Sequence, residues 1–217
     1  MLFNSISFLV FFPLVTAVFF VIPQKCRPVF LLAASYYFYA CWSAKYLLLL
    51  LASTLVTYAS GLLISRTAKA AGKKMWVGAS FAINLSILFV FKYFGFAMNT
   101  IAGIAARLHI TIQEPSFSLL LPVGISFYTF QALSYTMDVY RGDVKAEKSF
   151  VRYALFVSFF PQLVAGPIER SSHLLGQMSE EHHFDYERVK NGLMLMLWGF
   201  FEKLVIADRA AVLADMV

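Results

Sequence analysis

Five uncharged runs govern what this chain can fold into: Leu2 to Gln24, Pro28 to Ala44, Tyr46 to Ser65, Met75 to Phe91 and Pro115 to Met137. A helix rises 1.5 Å per residue, so about 20 residues cross a bilayer's hydrocarbon core, and tilt or flanking lysines stretch that limit. Lys92 is expected to snorkel, letting its span continue through Phe94 and Phe96. Apolar residues make up 60% of the chain and charged ones 14%, with a mean hydropathy of +0.71. The pattern predicts an all-α, polytopic membrane helical bundle, and the connectors are too short to hold a second core. The reading is therefore one membrane domain over residues 1–217.

The net charge of +6 is explained by position. Lys25 and Arg27, then Arg66, Lys69, Lys73 and Lys74, then Arg141, Lys145, Lys148 and Arg152 fill every second connector, while the alternate ones hold only Lys45 and Arg107. The positive-inside rule puts the richer set in the cytoplasm, the amino terminus outside and the connector from Asn99 to Glu114 outside. Nucleic-acid binding is excluded as the explanation of the charge. Tyr36, Tyr37, Tyr39, Trp42 and Tyr46 cluster at an outer turn, where an interfacial aromatic belt belongs. Leu2 to Ile22 lacks the basic start and small-x-small site of a secretion signal, and reads as a retained span. Cys26 and Cys41 match neither a zinc framework nor a redox dithiol.

Beyond Arg152 the pattern changes. Tyr153 to Ile168 is short, contains Pro161 and ends in Gly166-Pro167, which reads as a re-entrant segment of the kind tolerated only where protein buries it or it lines a cavity. Glu169 to Lys190 reads as a polar connector, and Asn191 to Ala207 as an apolar helix interrupted by Glu202 and Lys203.

Polar groups at membrane depth are the candidates for chemistry. Gln131, Ser134, Tyr135 and Asp138 stand at i, i+3, i+4 and i+7, which places them on one helix face. Two readings are open: interhelical hydrogen bonds that fix the bundle, or the lining of a substrate path. Arg141 is positioned to pair with Asp138. In the run from Phe160 to Arg170, Gly166 permits close backbone approach and Arg170 offers planar donors to an anionic or carbonyl group, while the plainer reading is a solvated corner. His109, His173, His182 and His183 all lie in polar connectors, outside the apolar helices. Adjacent His182 and His183 diverge by about 100° on a helix, which argues against a metal pair. No Walker loop, nucleophile elbow or zinc-protease helix is present.

Four segments carry a family likeness: Leu2 to Ser5 followed by Phe8 to Phe11, then Leu121 to Gln131, Tyr135 to Gly142, and Phe159 to Arg170. In these the chain resembles the membrane-bound O-acyltransferases, in the bacterial branch that contains the alginate O-acetyltransferases. The resemblance implies tilted helices around a thinned centre, where an acyl group from the cytoplasmic side meets a hydroxyl of an extracytoplasmic polysaccharide such as alginate. It implies an inner-membrane location, a polysaccharide acceptor, accessory acetylation proteins, and acetyl-CoA or an acyl-carrier thioester as co-substrate, with no bound cofactor or metal. Family members are roughly twice as long and carry their catalytic histidine in the second half; none of the four histidines here matches it. The chain is thus expected to be an amino-terminal half, with Gln131, Asp138, Arg141, Gln162, Glu169 and Arg170 shaping the acyl path. The alternatives are a transporter or export subunit using the Gln131 to Asp138 stripe, and a non-catalytic membrane fragment.

Overall fold

The structure, a computed structural model, describes residues 1, 3–107, 122–164, 166–214 and 216. Those residues are helical with short connections, and they divide into two compact units, 1–24 with 181–217, and 25–180.

The larger unit begins with α2 (Arg27–Arg66); the largely apolar span of 43 residues from Gln24 would stretch far beyond one bilayer crossing. Ser43, with φ −161° and ψ 110°, breaks it into 27–42 and 44–66; the second is long enough for a single crossing, while the first, like α1, falls short of the roughly 20 residues that an untilted crossing needs. The break falls at the end of the second run, two residues before the Lys45 that separates it from the third. The aromatic cluster beside it splits: Tyr37 and Trp42 are exposed as a belt would be, whereas Tyr39 is buried and donates to the Val123 carbonyl at 3.1 Å.

Helix α3 (Ala70–Arg107) runs unbroken through Lys92, whose Nζ reaches Ser126 Oγ at 3.5 Å and lies 5.5 Å from the Tyr93 ring centre. Residues 99–107, expected to begin a connector, continue this helix; no proline or paired glycine stops them. The remainder of that connector, with His109, lies outside the described residues. Helix α4 (Ile125–Arg141) starts later than the apolar run predicts, because Pro122 and a left-handed Gly124 (φ 75°) precede it. A second left-handed glycine, Gly142 (φ 84°), ends α4, and the Asp143 amide folds back onto the Asp138 carbonyl at 2.9 Å.

Helices α2, α3 and α4 pack polar and small residues inward. Leu50, Ser53, Thr54, Thr57, Ser60, Gly61 and Ile64 form the buried stripe of α2, while Leu48 and Leu55 point outward, as do Ile83 and Phe89 of α3. Buried Ser80 and Asn84 face this stripe, and Asn84 Oδ1 accepts from Ser53 Oγ at 2.5 Å. Apolar outside with small and polar inside is what helices in lipid do, since lipid solvates leucine as well as protein does. A Cβ on Gly61 would lie 2.8 Å from Tyr135 Cε1, so the bare glycine is what lets the Tyr135 ring seat against α2.

After α4, Ser149 caps α5 (Phe150–Ser158), accepting from the Arg152 amide at 3.4 Å. Phe159 leaves helical geometry, and Pro161 opens the single turn α6 (Phe160–Leu163), where a missing amide hydrogen costs nothing. The return limb carries α7 (Ser171–Gln177) through the segment expected to be a polar connector. Its end comes back to the start of the hairpin: Arg152 Nη1 donates to Ser179 Oγ at 3.3 Å. The segment from Phe150 to Ser179 is thus a hairpin whose two ends meet, the course expected of a re-entrant segment.

In the other unit, α1 (Ile6–Val21) has 16 residues, short of the roughly 20 that an untilted crossing needs. Asp185 caps α8 (Tyr186–Phe201), accepting from the Arg188 amide at 2.9 Å, so the last apolar helix starts five residues earlier than its hydropathy shows. It continues as a π-helical stretch (Glu202–Ala207) into α9 (Asp208–Ala214), with Lys203 bonded to Asp208 across the wide turn. Glu202 and Lys203 therefore widen the helix without ending it. Both cysteines are free and exposed.

Candidate functional site

The hairpin is fastened to α4 by the polar stripe. Gln131 is 4% exposed, and its Nε2 donates to the Phe156 carbonyl at 2.7 Å. Gln162 Nε2 donates to Gln131 Oε1 at 2.7 Å and to the Pro167 carbonyl at 3.1 Å. One turn on, the fully buried Tyr135 hydroxyl accepts from the Glu147 amide at 2.9 Å. At the far end Asp138 Oδ2 accepts from Ser171 Oγ at 2.6 Å. Ser134 turns back onto its own helix, donating to the Gln131 carbonyl at 2.9 Å. Three of the four stripe residues thus clamp the ascending limb, the connector and the return limb in sequence.

Arg141 does not join this set. It is exposed and makes no ion pair with Asp138, whose carboxylate is taken by Ser171. The expected pairing is replaced because Asp138 points along the helix flank toward α7 while Arg141, three residues on, faces solvent or headgroups. Glu147 is the carboxylate that finds an arginine: it meets Arg152 Nη2 at 3.0 Å and also accepts from the Ser149 amide at 2.8 Å.

Beside the clamp, where the hairpin turns, lies a cleft of about 210 Å³ lined by Phe159, Pro161, Gln162, Gly166, Pro167, Glu169, His173, Leu174 and Gln177. Gly166 is required for its tight wall. A Cβ there would lie 2.6 Å from Gln162 Cα and 2.9 Å from Gln162 O, so the close approach foreseen for this glycine is to the hairpin's own backbone. Gly124 meets the same turn from α4, since a Cβ on it would sit 2.3 Å from the Leu163 carbonyl oxygen. Glu169 Oε2 stands 3.5 Å from His173 Nδ1, and His173 Nε2 lies 3.2 Å from Gln177 Nε2.

Of the six residues expected to shape an acyl path, Gln162 and Glu169 line the cleft, Gln131 holds Gln162 in place, and Asp138 anchors the return limb. Arg170 is exposed at the start of α7 and is not among the lining residues. His173 and Gln177 were not singled out as site residues from sequence. The signal available is the i, i+4 spacing of His173 and Gln177 on one face of α7, with Glu169 just before that helix, but the polar composition around them reads as a solvated connector. Among the described residues no group of three or more His, Cys, Asp or Glu side chains is arranged to hold a metal ion.

Long apolar helices packed with a hairpin and a cleft beside it define the class: an all-α helical bundle of membrane character. Its relatives are bacterial polysaccharide O-acetyltransferases, in accord with the resemblance to membrane-bound O-acyltransferases. The chain is 36% identical to a probable alginate O-acetylase AlgI of Azotobacter vinelandii over 99% of its own length and 43% of that protein's. It is 35% identical to the probable alginate O-acetylase AlgI of Pseudomonas aeruginosa over 99% of the chain and 41% of the relative. To a peptidoglycan O-acetyltransferase of Helicobacter pylori it is 34% identical over 85% of the chain and 39% of the relative. The chain therefore spans about two fifths of the length of these relatives. No family model and no solved structure matches it.

Proposed function

We propose that the chain is the amino-terminal part of a membrane-bound O-acyltransferase that moves an acyl group, acetyl by the relatives' names, onto hydroxyls of an extracytoplasmic polysaccharide. The observation that carries this is the identity of 36% running through 99% of the chain to an alginate O-acetylase, with a peptidoglycan O-acetyltransferase matched over most of the same residues. The relatives share an ester-forming step on a carbohydrate hydroxyl and differ in polymer, so the class of reaction is better supported than alginate itself.

In this reading the larger unit frames a path from the basic, cytoplasmic face, where an acetyl-CoA or acyl-carrier thioester arrives. The base that takes the acceptor hydroxyl's proton comes from the remaining part of the protein. Gln162 and Glu169 face the path, and Arg170 stands at its mouth. The basic connectors support an amino terminus on the outside, and the family resemblance supports placement in the inner membrane.

A chimera tests this. The chain replaces the matching two fifths of the Azotobacter relative in an alginate-producing host that lacks its own O-acetylase, and ester content of the secreted polymer is measured. Restored O-acetyl groups are expected; a chimera abundant in the membrane with unacetylated polymer contradicts the proposal.

A further inference from the structure

The orientation of Gln162 is dictated by groups that cannot donate. The Phe156 carbonyl only accepts, so the atom of Gln131 facing it at 2.7 Å is the amide nitrogen, and the oxygen of Gln131 faces Gln162. Gln162 must then present its nitrogen to Gln131, and the Pro167 carbonyl takes the second hydrogen. Both donors of this amide, in a residue only 9% exposed, are spent inside the clamp, while its Oε1 accepts from no described residue. That oxygen is not sealed from the cleft, and its lone pairs are left to accept from whatever enters there.

The other polar atoms of the cleft have the same character. Glu169 offers a carboxylate with one oxygen turned to His173 and the other without a partner among the described residues. With Nδ1 facing that carboxylate as a donor, His173 presents Nε2 as the acceptor of a Gln177 N–H. The remaining lining residues are apolar or glycine, and neither lysine nor arginine is among them. The cleft, of about 210 Å³, is of a size with one sugar ring or a short amide-bearing arm.

We infer that the cleft is a subsite for a neutral hydrogen-bond-donating group, a hydroxyl or amide N–H, gripped by Gln162 Oε1 and the Glu169 carboxylate, and closed to anions. This rests on the acyl-transfer reading only for the two sources of such a group: the hydroxyls of the polysaccharide acceptor, or the amide arm of the thioester donor.

The test reads His173 directly. The chain in lipid nanodiscs is treated with diethylpyrocarbonate, and carbethoxylation of His173 is followed by mass spectrometry against that of His182. Maltotriose supplies neutral hydroxyls, S-acetylpantetheine supplies amide N–H groups, and inorganic phosphate supplies an anion at the same concentration. One neutral probe is expected to slow His173 modification at least threefold while phosphate does not, and the effective probe names the source. Glu169→Gln, at a partly exposed position, is expected to keep the fold and abolish that protection. Protection by phosphate, protection unchanged in Glu169→Gln, or failure of both neutral probes overturns the inference. An active chimera with no protection by either neutral probe defeats the subsite and leaves the acyl-transfer proposal standing; protection with an inactive chimera does the reverse.

Discussion

Gln131 and Gln162 lie 31 residues apart and meet amide to amide at 2.7 Å, out of solvent, joining α4 to the turn of the hairpin. Neither amide can flip without setting oxygen against oxygen, so the pair acts as a keyed joint. A hairpin that enters and leaves on one side of a bundle has few backbone bonds to its neighbours. Its position rests instead on such side-chain contacts, and the tip of the cleft inherits its shape from this one.

Replacing either partner should therefore leave orphans. Gln131→Leu strands the Phe156 carbonyl and a Gln162 hydrogen, at a cost of about 1–3 kcal/mol for each buried group left unpaired. Gln162→Leu should cost a similar amount. The double variant is expected to fall short of the sum by about 0.5–3 kcal/mol, the range found for residues in contact. Denaturant unfolding in detergent gives these values, and strict additivity would show that the two amides act independently.

A methyl group at Gly61 should disturb the fold through Tyr135. That ring is pinned at its hydroxyl by the Glu147 amide and cannot swing away from a Cβ 2.8 Å off. Gly61→Ala is expected to lose about 1–3 kcal/mol by overpacking. At Gly78, where an added Cβ meets nothing within 4 Å, the same change should be neutral or gain up to about 1 kcal/mol from helix propensity. Equal thermal stability of the two variants would refute the packing described for Tyr135.

The return limb should loosen when Asp138 is removed. Asp138→Ala deletes the 2.6 Å bond to Ser171, about 1.5–3 kcal/mol for a hydrogen bond to a charged group, and exposed Arg170 stands next to the freed residue. Tryptic cleavage after Arg170 should accelerate several-fold in this variant, while Arg141→Ala, which removes a side chain without an ion pair, should leave the rate unchanged. A faster cut in Arg141→Ala than in Asp138→Ala would reverse the roles assigned to the two residues.

Much of this architecture is legible in the residues themselves. The break at Ser43 falls at the end of the second uncharged run, Lys92 is carried through its helix, and the short proline-bearing segment after Arg152 turns back, because each follows from hydrophobic length and proline geometry. The stripe from Gln131 to Asp138 was visible through its period, and the structure assigns its hydrogen bonds to fastening the hairpin. What the sequence hid was pairing at long range. Asp138 could be matched to Arg141 by proximity in the chain, yet its partner is Ser171, 33 residues away. His173 was passed over for a similar reason: its neighbours are polar, and only the hairpin's return brings it beside Gln162. The helical stretch at 186–190 reads as connector because charged residues dominate it, and the Asp185 cap overrides that signal; at 99–107 helix α3 runs on past the charge-free run that marks its span in the sequence.

The re-entrant course of residues 150–179 is the claim on which the clamp and the cleft both depend, and sidedness tests it most directly. With Cys26 and Cys41 replaced by serine, single cysteines are placed at exposed Lys148 and Glu180, just before and just after the hairpin. Each is labelled with a membrane-impermeant maleimide in spheroplasts and in inverted vesicles. The account predicts that Lys148→Cys and Glu180→Cys label from the same side, and from the inverted-vesicle side if the basic connectors are cytoplasmic. Labelling from opposite sides would mean that the segment crosses the membrane, and would contradict it.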